Sequence, residues 1–302
     1  MRKPALFVVQ IAGIVAAALA SAACDISIGA SEYSVREEKT FTVSGPARLA
    51  LTTFDGNIEV RGWDRNEVLV EVEKRGPDQA TVEKIQVKTV QDGNAITIDV
   101  PKPSPLVTTG FRSTPSASLV VSVPIQTAVS ARSGDGAVTI RRVNGNLDVD
   151  TDDGNVRVEE LKGDLKVRTG DGAVDARQIE GAARIDTADG NIRADGVFRG
   201  LYLETRDGAI DSTVRSGSAV ESDWSATTGD GNVRLELPEG LNAELDAQTS
   251  DGRVQLDRVG GPARDAGESD ERERTSFRGR LGSGGKALKV RSGSGSITVK
   301  LW

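Results

Sequence analysis

The stretch Ser133-Gly134-Asp135-Gly136 returns at a fixed spacing and decides the fold. Its repeats are Thr151-Asp152-Asp153-Gly154, Thr169-Gly170-Asp171-Gly172, Thr187-Ala188-Asp189-Gly190 and Thr205-Arg206-Asp207-Gly208, evenly spaced along the chain with an 18-residue period. A strict period of this length is typical of repeat proteins, whose coils stack on one another. Because glycine accepts the backbone angles of a sharp turn, we interpret each motif as a corner between two strands.

Between the corners, apolar and polar residues alternate, which predicts strands with one buried face. Val138 and Ile140 follow the first corner, and Leu147 and Val149 repeat the pattern half a period later. The threonines that open the corners share the parity of these apolar positions, so we expect an inward ladder of hydroxyl groups. The chain is therefore predicted to be all-β, a single elongated parallel β-helix or β-solenoid with 18-residue coils of two nine-residue strand-turn units.

The positions expected to point outward support this register, because their charges alternate from coil to coil. One column reads Arg141, Glu159, Arg177, Asp195, and another reads Asp150, Arg168, Asp186, Glu204. Opposite charges on neighbouring strands contribute roughly 0.2–1 kcal/mol per pair, whereas like charges oppose pairing. A slipped register would lose most of these pairs.

Composition excludes several kinds of site. The chain has no His, which excludes imidazole catalysis and His-ligated zinc or iron, and its single Cys excludes an internal disulfide. The formal net charge is −7, and loss of the segment 1–23 with Arg2 and Lys3 would make it −9. Nucleic acid is therefore not an expected partner.

The segment 1–23 predicts export, because two basic residues precede an apolar run over 5–20 and small residues up to Cys24. The stretch 19–24 resembles the cleavage and lipidation site of bacterial lipoproteins, although Ser21 stands where such sites usually carry Leu. The resemblance implies a diacylglyceryl anchor on Cys24 and a membrane-anchored lipoprotein of the cell envelope. Ordinary cleavage near Ala22 or Ala23 and an uncut membrane anchor are the alternatives.

The remaining sequence predicts the order of segments along the chain. They are a signal peptide at 1–23, a tether at 24–38, irregular N-terminal coils at 39–125, regular coils at 126–256, a charged mobile loop at 257–285 and a C-terminal capping coil at 286–302. The loop is predicted from its Gly, Pro and dense mixed charge. Trp302 is expected to cover the open end, which every solenoid needs to protect.

With the corner series complete, the chain resembles the putative-adhesin family of exported bacterial β-solenoid proteins. The matching features are the Gly-Asn-Ile-Glu-Val-Arg-Gly-Trp stretch at 56–63, the entry strand at 120–124, the Asp-Gly coils at 135–208 and the Gly-Ser-Gly-Ser-Ile ending at 293–297. They span most of the chain from 41 to 302. The resemblance implies a right-handed or flattened parallel β-helix at the cell envelope, and it implies little chemistry.

The corner carboxylates are the sharpest candidate site for a metal ion. They are Asp135, Asp153, Asp171, Asp189 and Asp207. Carboxylates stacked at solenoid corners can ligate calcium, but these repeats lack the Gly-Gly-x-Gly-x-Asp pattern of calcium-binding rolls. Repulsion between carboxylates about 4.8 Å apart is only about 0.9 kcal/mol in water, so the column does not require an ion. Structural turn residues are the favoured interpretation, with calcium as the only cofactor considered.

Three functions stay open at this stage. The favoured one is a non-enzymatic envelope protein that presents a repetitive surface to a polysaccharide or protein, as an adhesin, scaffold or envelope-stress partner. A polysaccharide lyase or hydrolase would use carboxylates of adjacent coils, yet no coil of the sequence uniquely gathers two acids, an Arg and an aromatic platform. The third is a calcium-stabilised structural spacer.

Trp63 and Trp224 are expected to pack onto loops rather than to stack on sugars. The charged run at 265–274 is interpreted as a solvated loop or a docking segment.

Overall fold

The computed structural model describes residues 24–29, 32–103, 114–258 and 274–302. The predicted signal peptide and nearly all of the charged run at 265–274 lie outside these ranges. Within them the chain forms 23 strands and one short helix, which confirms the all-β prediction. No helix of the described ranges is long and apolar enough to cross a membrane.

The described residues up to Ser133 contain nine strands and the helix. They are β1 (Cys24–Gly29), β2 (Glu32–Thr42), β3 (Ala47–Thr53), β4 (Ile58–Trp63), β5 (Glu67–Gly76), α1 (Gln79–Glu83), β6 (Lys88–Asp92), β7 (Ala95–Val100), β8 (Ser116–Pro124) and β9 (Thr127–Ser133). The next strands are β10 (Val138–Asn144), β11 (Leu147–Thr151), β12 (Val156–Lys162), β13 (Leu165–Thr169), β14 (Val174–Thr187), β15 (Ile192–Thr205) and β16 (Ile210–Val214). The last are β17 (Trp224–Thr228), β18 (Val233–Leu237), β19 (Ala243–Thr249), β20 (Val254–Arg258), β21 (Ser276–Leu281), β22 (Ala287–Ser292) and β23 (Ile297–Leu301).

Strand pairing creates two faces of a flattened, solenoid-like stack. Face 1 runs β6-β7-β3-β9-β11-β13-β14-β15-β17-β22-β19-β21. Face 2 runs β1-β2-β5-β8-β4-β10-β12-β14-β15-β16-β18-β23-β20. The long strands β14 and β15 bend through a corner and belong to both faces. The buried Val, Ile, Leu and Ala side chains of the two faces form one core cluster between them.

In the centre of the stack, paired residues are one sequence period apart, as in Val138 with Val156 and Leu147 with Leu165. Beyond β15 the offset grows, because Tyr202 pairs with Ser225 across the inserted residues that precede β17. At the N-terminal end, the paired strands β3 and β9 are much farther apart in the sequence, since Ala47 faces Thr127. A uniform offset is therefore a property of the central coils only.

The outward charges meet largely as the register requires. Arg141 Nε lies 3.1 Å from Glu159 Oε2, and Asp150 faces Arg168 on the next strand. A register shift after Ala176 interrupts the first column. The second column ends with two like charges, Asp186 opposite Glu204.

The N-terminal end is nested, because the first coil in the sequence is the second in space. Strands β3 and β4 lie between the strands of the β7–β8 coil and those of the β9–β10 coil. The tether prediction for 24–38 is not what the structure contains: β2 pairs antiparallel with β5 along nearly its whole length, from Tyr33 opposite Gly76 to Thr42 opposite Glu67. Alternating exposure along β2 shows that its polar residues occupy a sheet that extends face 2.

The C-terminal end is nested in the same manner, which corrects the capping-coil prediction for 286–302. Strand β22 lies between β17 and β19, and β23 lies between β18 and β20, so the last coil in sequence is an internal coil. Trp302 is 45% exposed and its backbone N–H donates to the Leu237 carbonyl at 3.1 Å, which places it beside β18 rather than over the end. Strand β21, inside the segment predicted as a loop at 257–285, pairs antiparallel with β19 and covers that edge.

Candidate binding groove and corner ladder

The corners are held by the predicted ladder of hydroxyl groups. Thr187 Oγ1 lies 2.8 and 3.1 Å from the carbonyl oxygens of Gly170 and Gly172 in the preceding coil, and it accepts the Gly190 N–H of its own turn at 3.2 Å. Equivalent buried hydroxyls belong to Thr53, Ser133, Thr151, Thr169, Thr205, Thr228, Thr249 and Ser292. Each rung satisfies buried backbone groups at the corners, so the ladder stabilises the stack and is not a ligand site.

A second ladder lies one residue beyond each Asp-Gly pair and was not predicted. Asn155 Oδ1 accepts the Ala173 N–H of the next coil at 2.8 Å, and Asn191 Oδ1 accepts the Ala209 N–H at 2.8 Å. The sequence carries a signal for it, because the residue after Asp-Gly alternates between Asn and Ala over five successive corners, from Ala137 to Ala209. An Asn in one coil supplies the acceptor, and the Ala in the next supplies the donor.

These two ladders bind backbone N–H groups of the turns through Thr and Asn side chains. The five corner aspartates lie exposed; they are Asp135, Asp153, Asp171, Asp189 and Asp207. Asp189 lies 3.6 Å from the Arg206 guanidinium. Within the described ranges, no three potential metal-ligating side chains of His, Cys, Asp or Glu lie close enough to hold one ion together. Calcium at this column stays a prediction.

The tryptophans occupy packed positions. Trp63 Nε1 donates to the Glu67 carbonyl at 2.8 Å, and the Arg65 guanidinium lies 4.8 Å from the centre of its ring. Trp224 is 1% exposed at the start of β17, where it fills the core between the faces. The Trp224 indole is therefore not an open platform for a sugar ring.

A groove of about 790 Å³ lies on the outside of face 1. It crosses seven parallel strands, β7, β3, β9, β11, β13, β14 and β15, and each supplies three consecutive residues near the start of its face 1 portion. The middle residue of each three is buried, as Leu49 and Leu165 are, so the two outer residues form the walls. With strands about 4.8 Å apart, the six intervals give a length of about 29 Å.

The two ends of the groove differ in chemistry. At the β7 end the walls are mostly small side chains, including Ala50, Thr97, Ala128 and Ser130. In the middle, Lys166 Nζ lies 3.4 Å from Asp148 Oδ2. At the β15 end the walls carry Arg184 and Tyr202, and Ser222 and Asp223 close the groove. The site therefore combines one half that is walled mostly by small side chains with another half that is polar and aromatic.

The β15 end gathers four side chains that the sequence analysis did not connect. The Arg184 guanidinium lies 3.8 Å from the centre of the Tyr202 ring, and Arg184 Nε lies 3.2 Å from Asp186 Oδ2. The Tyr202 hydroxyl donates to the Glu204 carboxylate, and this hydrogen bond raises the pKa of Tyr202 above its ordinary value. The expectation that no coil gathers two acids, an Arg and an aromatic residue applied to single coils. These four residues belong to two adjacent coils, which parallel pairing brings together.

The sequence does contain a signal for this cluster. Arg184-x-Asp186 and Tyr202-x-Glu204 occupy the same positions of successive coils, one period apart, so parallel pairing brings them together. The two carboxylates face each other across neighbouring strands. Their repulsion is offset because Arg184 lies against one carboxylate and the Tyr202 hydroxyl donates to the other.

Comparison with known protein families now places the chain. The profile of the Toastrack DUF4097 family matches residues 46–300. The chain belongs to this family. The match covers nearly all of both faces, and it agrees with the solenoid-like arrangement of this Toastrack chain. A comparison with curated protein sequences found no relative.

Several solved structures are similar at low sequence identity. A "putative lipid binding protein" from Parabacteroides distasonis is 14% identical, with a TM-score of 0.47, covering 87% of this chain and 96% of its own. A "putative adhesin" from Bacteroides fragilis is 14% identical, with a TM-score of 0.36, covering 88% and 97%. A "putative cell adhesion protein" from Clostridium sporogenes is 12% identical, with a TM-score of 0.29, covering 88% and 100%.

Proposed function

We propose that this Toastrack chain is a non-enzymatic protein of the cell envelope that binds an extended partner along the groove of face 1, as an adhesin or scaffold on a parallel β-helix of 18-residue coils. The groove itself is the observation that carries the proposal. Compact ligands occupy enclosed cavities that bury most of their surface, whereas an open groove of about 29 Å suits a long one. Its walls repeat at the strand spacing, so a polymer with a regular repeat is the partner that they fit.

The four-residue cluster favours a second candidate, a polysaccharide hydrolase or lyase. Carboxyl groups on adjacent strands lie at about the separation that retaining glycosidases use, roughly 5–5.5 Å. Here, however, Asp186 is held by Arg184, and Glu204 accepts the Tyr202 hydroxyl. Neither carboxylate is free to protonate a leaving group or to attack a sugar, so binding without cleavage is the better supported function.

The test fills the groove and follows both retention and polymer length. Ala50 and Ser130 face each other on neighbouring strands, so Ala50→Arg and Ser130→Arg would each place a long side chain across the floor. Thr139→Arg makes the same change on the outside of face 2 and serves as the matched control. The proteins are exposed to a panel of envelope and host polysaccharides, with and without calcium.

Retention by the wild type and by Thr139→Arg, lost in both groove variants and without shortening of the polymer, is the expected result. Shortened polymer would overturn the non-enzymatic proposal and direct attention to Asp186 and Glu204. Retention that Ala50→Arg and Ser130→Arg leave intact would show that the groove is not the binding surface. Binding or melting that depends on calcium would favour the calcium-stabilised spacer.

We also propose export and a lipid anchor on Cys24, on the sequence features alone. In the described chain Cys24 begins β1, the outermost strand at one end of face 2. An anchor there would attach the membrane to one end of the stack and leave the groove on its side accessible. Metabolic labelling with a fatty-acid analogue should mark the wild type but not Cys24→Ser, and labelling of neither would remove the anchor from the proposal.

A further inference from the structure

We propose that the β15 end of the groove is an anchoring subsite for one sugar ring of a neutral glycan, with Tyr202 as the platform. This inference rests on the proposed function of the groove and names the chemical class of its ligand. Among the described residues that line the groove, Tyr202 is the only aromatic one. Aromatic rings supply a large apolar surface, and the tyrosine hydroxyl supplies a polar handle beside it.

One face of the Tyr202 ring is covered, and a small residue borders the side of β15 opposite to the covering side chain. The Arg184 guanidinium of β14 covers the ring at 3.8 Å, so the opposite ring face is directed toward β17. The residue that pairs with Tyr202 on β17 is Ser225, whose side chain is small. The hydroxyl bond to Glu204 and the contact with Arg184 fix the ring at both its edge and its covered face. The platform is thus positioned before a ligand arrives, which reduces the entropy cost of binding.

The floor beside the platform is kept clear by Gly200. A Cβ at this position would lie 3.2 Å from the Ala182 Cβ and 4.0 Å from the Ser222 Oγ, so any side chain would crowd the space between them. Ser222 and Asp223 are exposed at this closed end of the groove and offer a hydroxyl and a carboxylate to sugar hydroxyl groups. An apolar ring face bordered by such groups suits a ligand that is apolar on its ring faces and polar at its edge.

The charges around the platform favour a neutral glycan over an acidic one. Three cations near this end each face a carboxylate: Arg184 faces Asp186, Arg199 faces Asp164 and Lys289 faces Asp223. An anionic sugar would therefore gain no uncompensated positive charge from them, and it would meet the carboxylate of Glu204, which accepts the neutral Tyr202 hydroxyl. A neutral ring gives up little solvation and keeps these ion pairs intact.

The experiment measures binding of four oligosaccharides to the full chain by titration calorimetry. Cellohexaose, maltohexaose and chitohexaose are neutral probes, and hexagalacturonate is the acidic one. Tyr202→Ala removes the platform, whereas Tyr202→Phe keeps the ring and loses only the hydroxyl. The chain has two tyrosines, so Tyr33→Ala in β2 is the matched control. The unfolding midpoint of each variant verifies that it is folded.

We expect at least one neutral probe to bind, with affinity about tenfold weaker in Tyr202→Ala and close to wild type in Tyr202→Phe and Tyr33→Ala. Equal affinity of Tyr202→Ala and the wild type would overturn the subsite. Binding of hexagalacturonate alone, or of no oligosaccharide, would overturn the neutral-glycan assignment. A probe can bind Tyr202→Ala and the wild type equally, or hexagalacturonate can be the only probe that binds. In either case, loss of that binding in Ala50→Arg would still support the groove as the binding surface. The subsite and the groove are therefore tested separately.

Discussion

The corner hydroxyls, of threonine or serine, donate to backbone carbonyl groups of a neighbouring coil, and several also accept an N–H of their own turn. At Thr187 the hydroxyl contacts two carbonyl oxygens of the preceding turn and accepts an N–H of its own. Valine has nearly the same shape and cannot make these bonds, and a buried polar group left without a partner costs about 1–3 kcal/mol. The corner sequence therefore selects Thr for its hydrogen bonds rather than for its strand propensity.

We expect Thr187→Val to lower the free energy of unfolding by about 1–3 kcal/mol, because three backbone groups lose a partner. Thr139→Val, at an outward position of β10, should change it by less than about 0.5 kcal/mol. Urea denaturation followed by circular dichroism measures both. Equal effects of the two substitutions would contradict the structural importance of the ladder.

Asp55 lies at the corner between β3 and β4 and interacts electrostatically with Asp135, which lies at the corner between β9 and β10. Burial raises the pKa of Asp55 above its ordinary value, the Asp135 carboxylate raises it further, and Lys102 opposes the rise. A raised folded-state pKa means that the folded chain holds the proton more tightly than the unfolded one. The contribution of Asp55 to stability is then fully present below its unfolded pKa and is lost as the pH rises through the folded value.

Replacing Asp135 by Asn should lower the pKa of Asp55 without returning it to the ordinary value, because burial is the larger cause. Asp171→Asn removes an equivalent carboxylate two coils farther along the stack and should leave Asp55 unchanged. Titration of the Asp55 carboxyl carbon by NMR distinguishes the two. An unchanged Asp55 pKa in Asp135→Asn would show that the carboxylates do not interact.

At the scale of the element, three neighbouring strands of face 2 share a residue in the left-handed conformation. Arg142, Glu160 and Gln178 occupy the same position in successive coils with φ of 57°, 57° and 55°. This conformation costs a non-glycine residue roughly 1–2 kcal/mol. Glycine would adopt it with less strain, yet none of the three positions carries glycine. Their side chains are exposed, so packing in the core does not explain the choice.

Gln178→Gly should therefore stabilise the chain by about 0.5–1 kcal/mol, since relief of the strain exceeds the added entropy of the unfolded chain. Gln255→Gly, at an ordinary outward position of β20, should destabilise it by a similar amount. Both values come from chemical denaturation. Destabilisation by Gln178→Gly would mean that the Gln side chain makes a contribution larger than the strain.

At the scale of the whole molecule, both ends of the stack are nested. The coil made by the last residues of the chain lies between β17–β18 and β19–β20, so it joins two parts of the stack instead of closing one. A sheet edge left open is a site for unwanted pairing, and here antiparallel strands β6 and β21 border face 1 at its two ends. Nesting ties the C-terminus to the interior of the fold.

A chain ending at residue 285 should consequently lose β19, β20 and β21 from the ordered fold, because β22 and β23 connect them to β17 and β18. Limited proteolysis is expected to remove the region after β18 in this variant. Deletion of Trp302 alone, which lies beside β18, should leave the protease pattern unchanged. A truncated chain with β19–β21 still protected would restore the interpretation of 286–302 as a simple cap.

The sequence by itself determined the features that arise within a coil or between consecutive coils. The even spacing of the Asp-Gly corners, the alternation of apolar residues and the inward Thr all depend on neighbours close in the chain, so their periodicity is visible without a structure. The charge columns follow from the same period. The sequence also contains two signals that we did not predict from it. They are the alternation of Asn and Ala after the Asp-Gly pairs and the matching positions of Arg184 and Tyr202 in successive coils.

Only the tertiary structure decided the order of the terminal coils and the location of the groove. Trp224 pairs with Leu288 and Ile58 pairs with Leu119, in each case across several intervening strands or loops of the chain. Several strands have similar lengths and similar apolar patterns. The pattern within one strand therefore does not select the strand with which it pairs. What selects it is the packing of both faces at once, which also brings short segments of seven strands together into one groove.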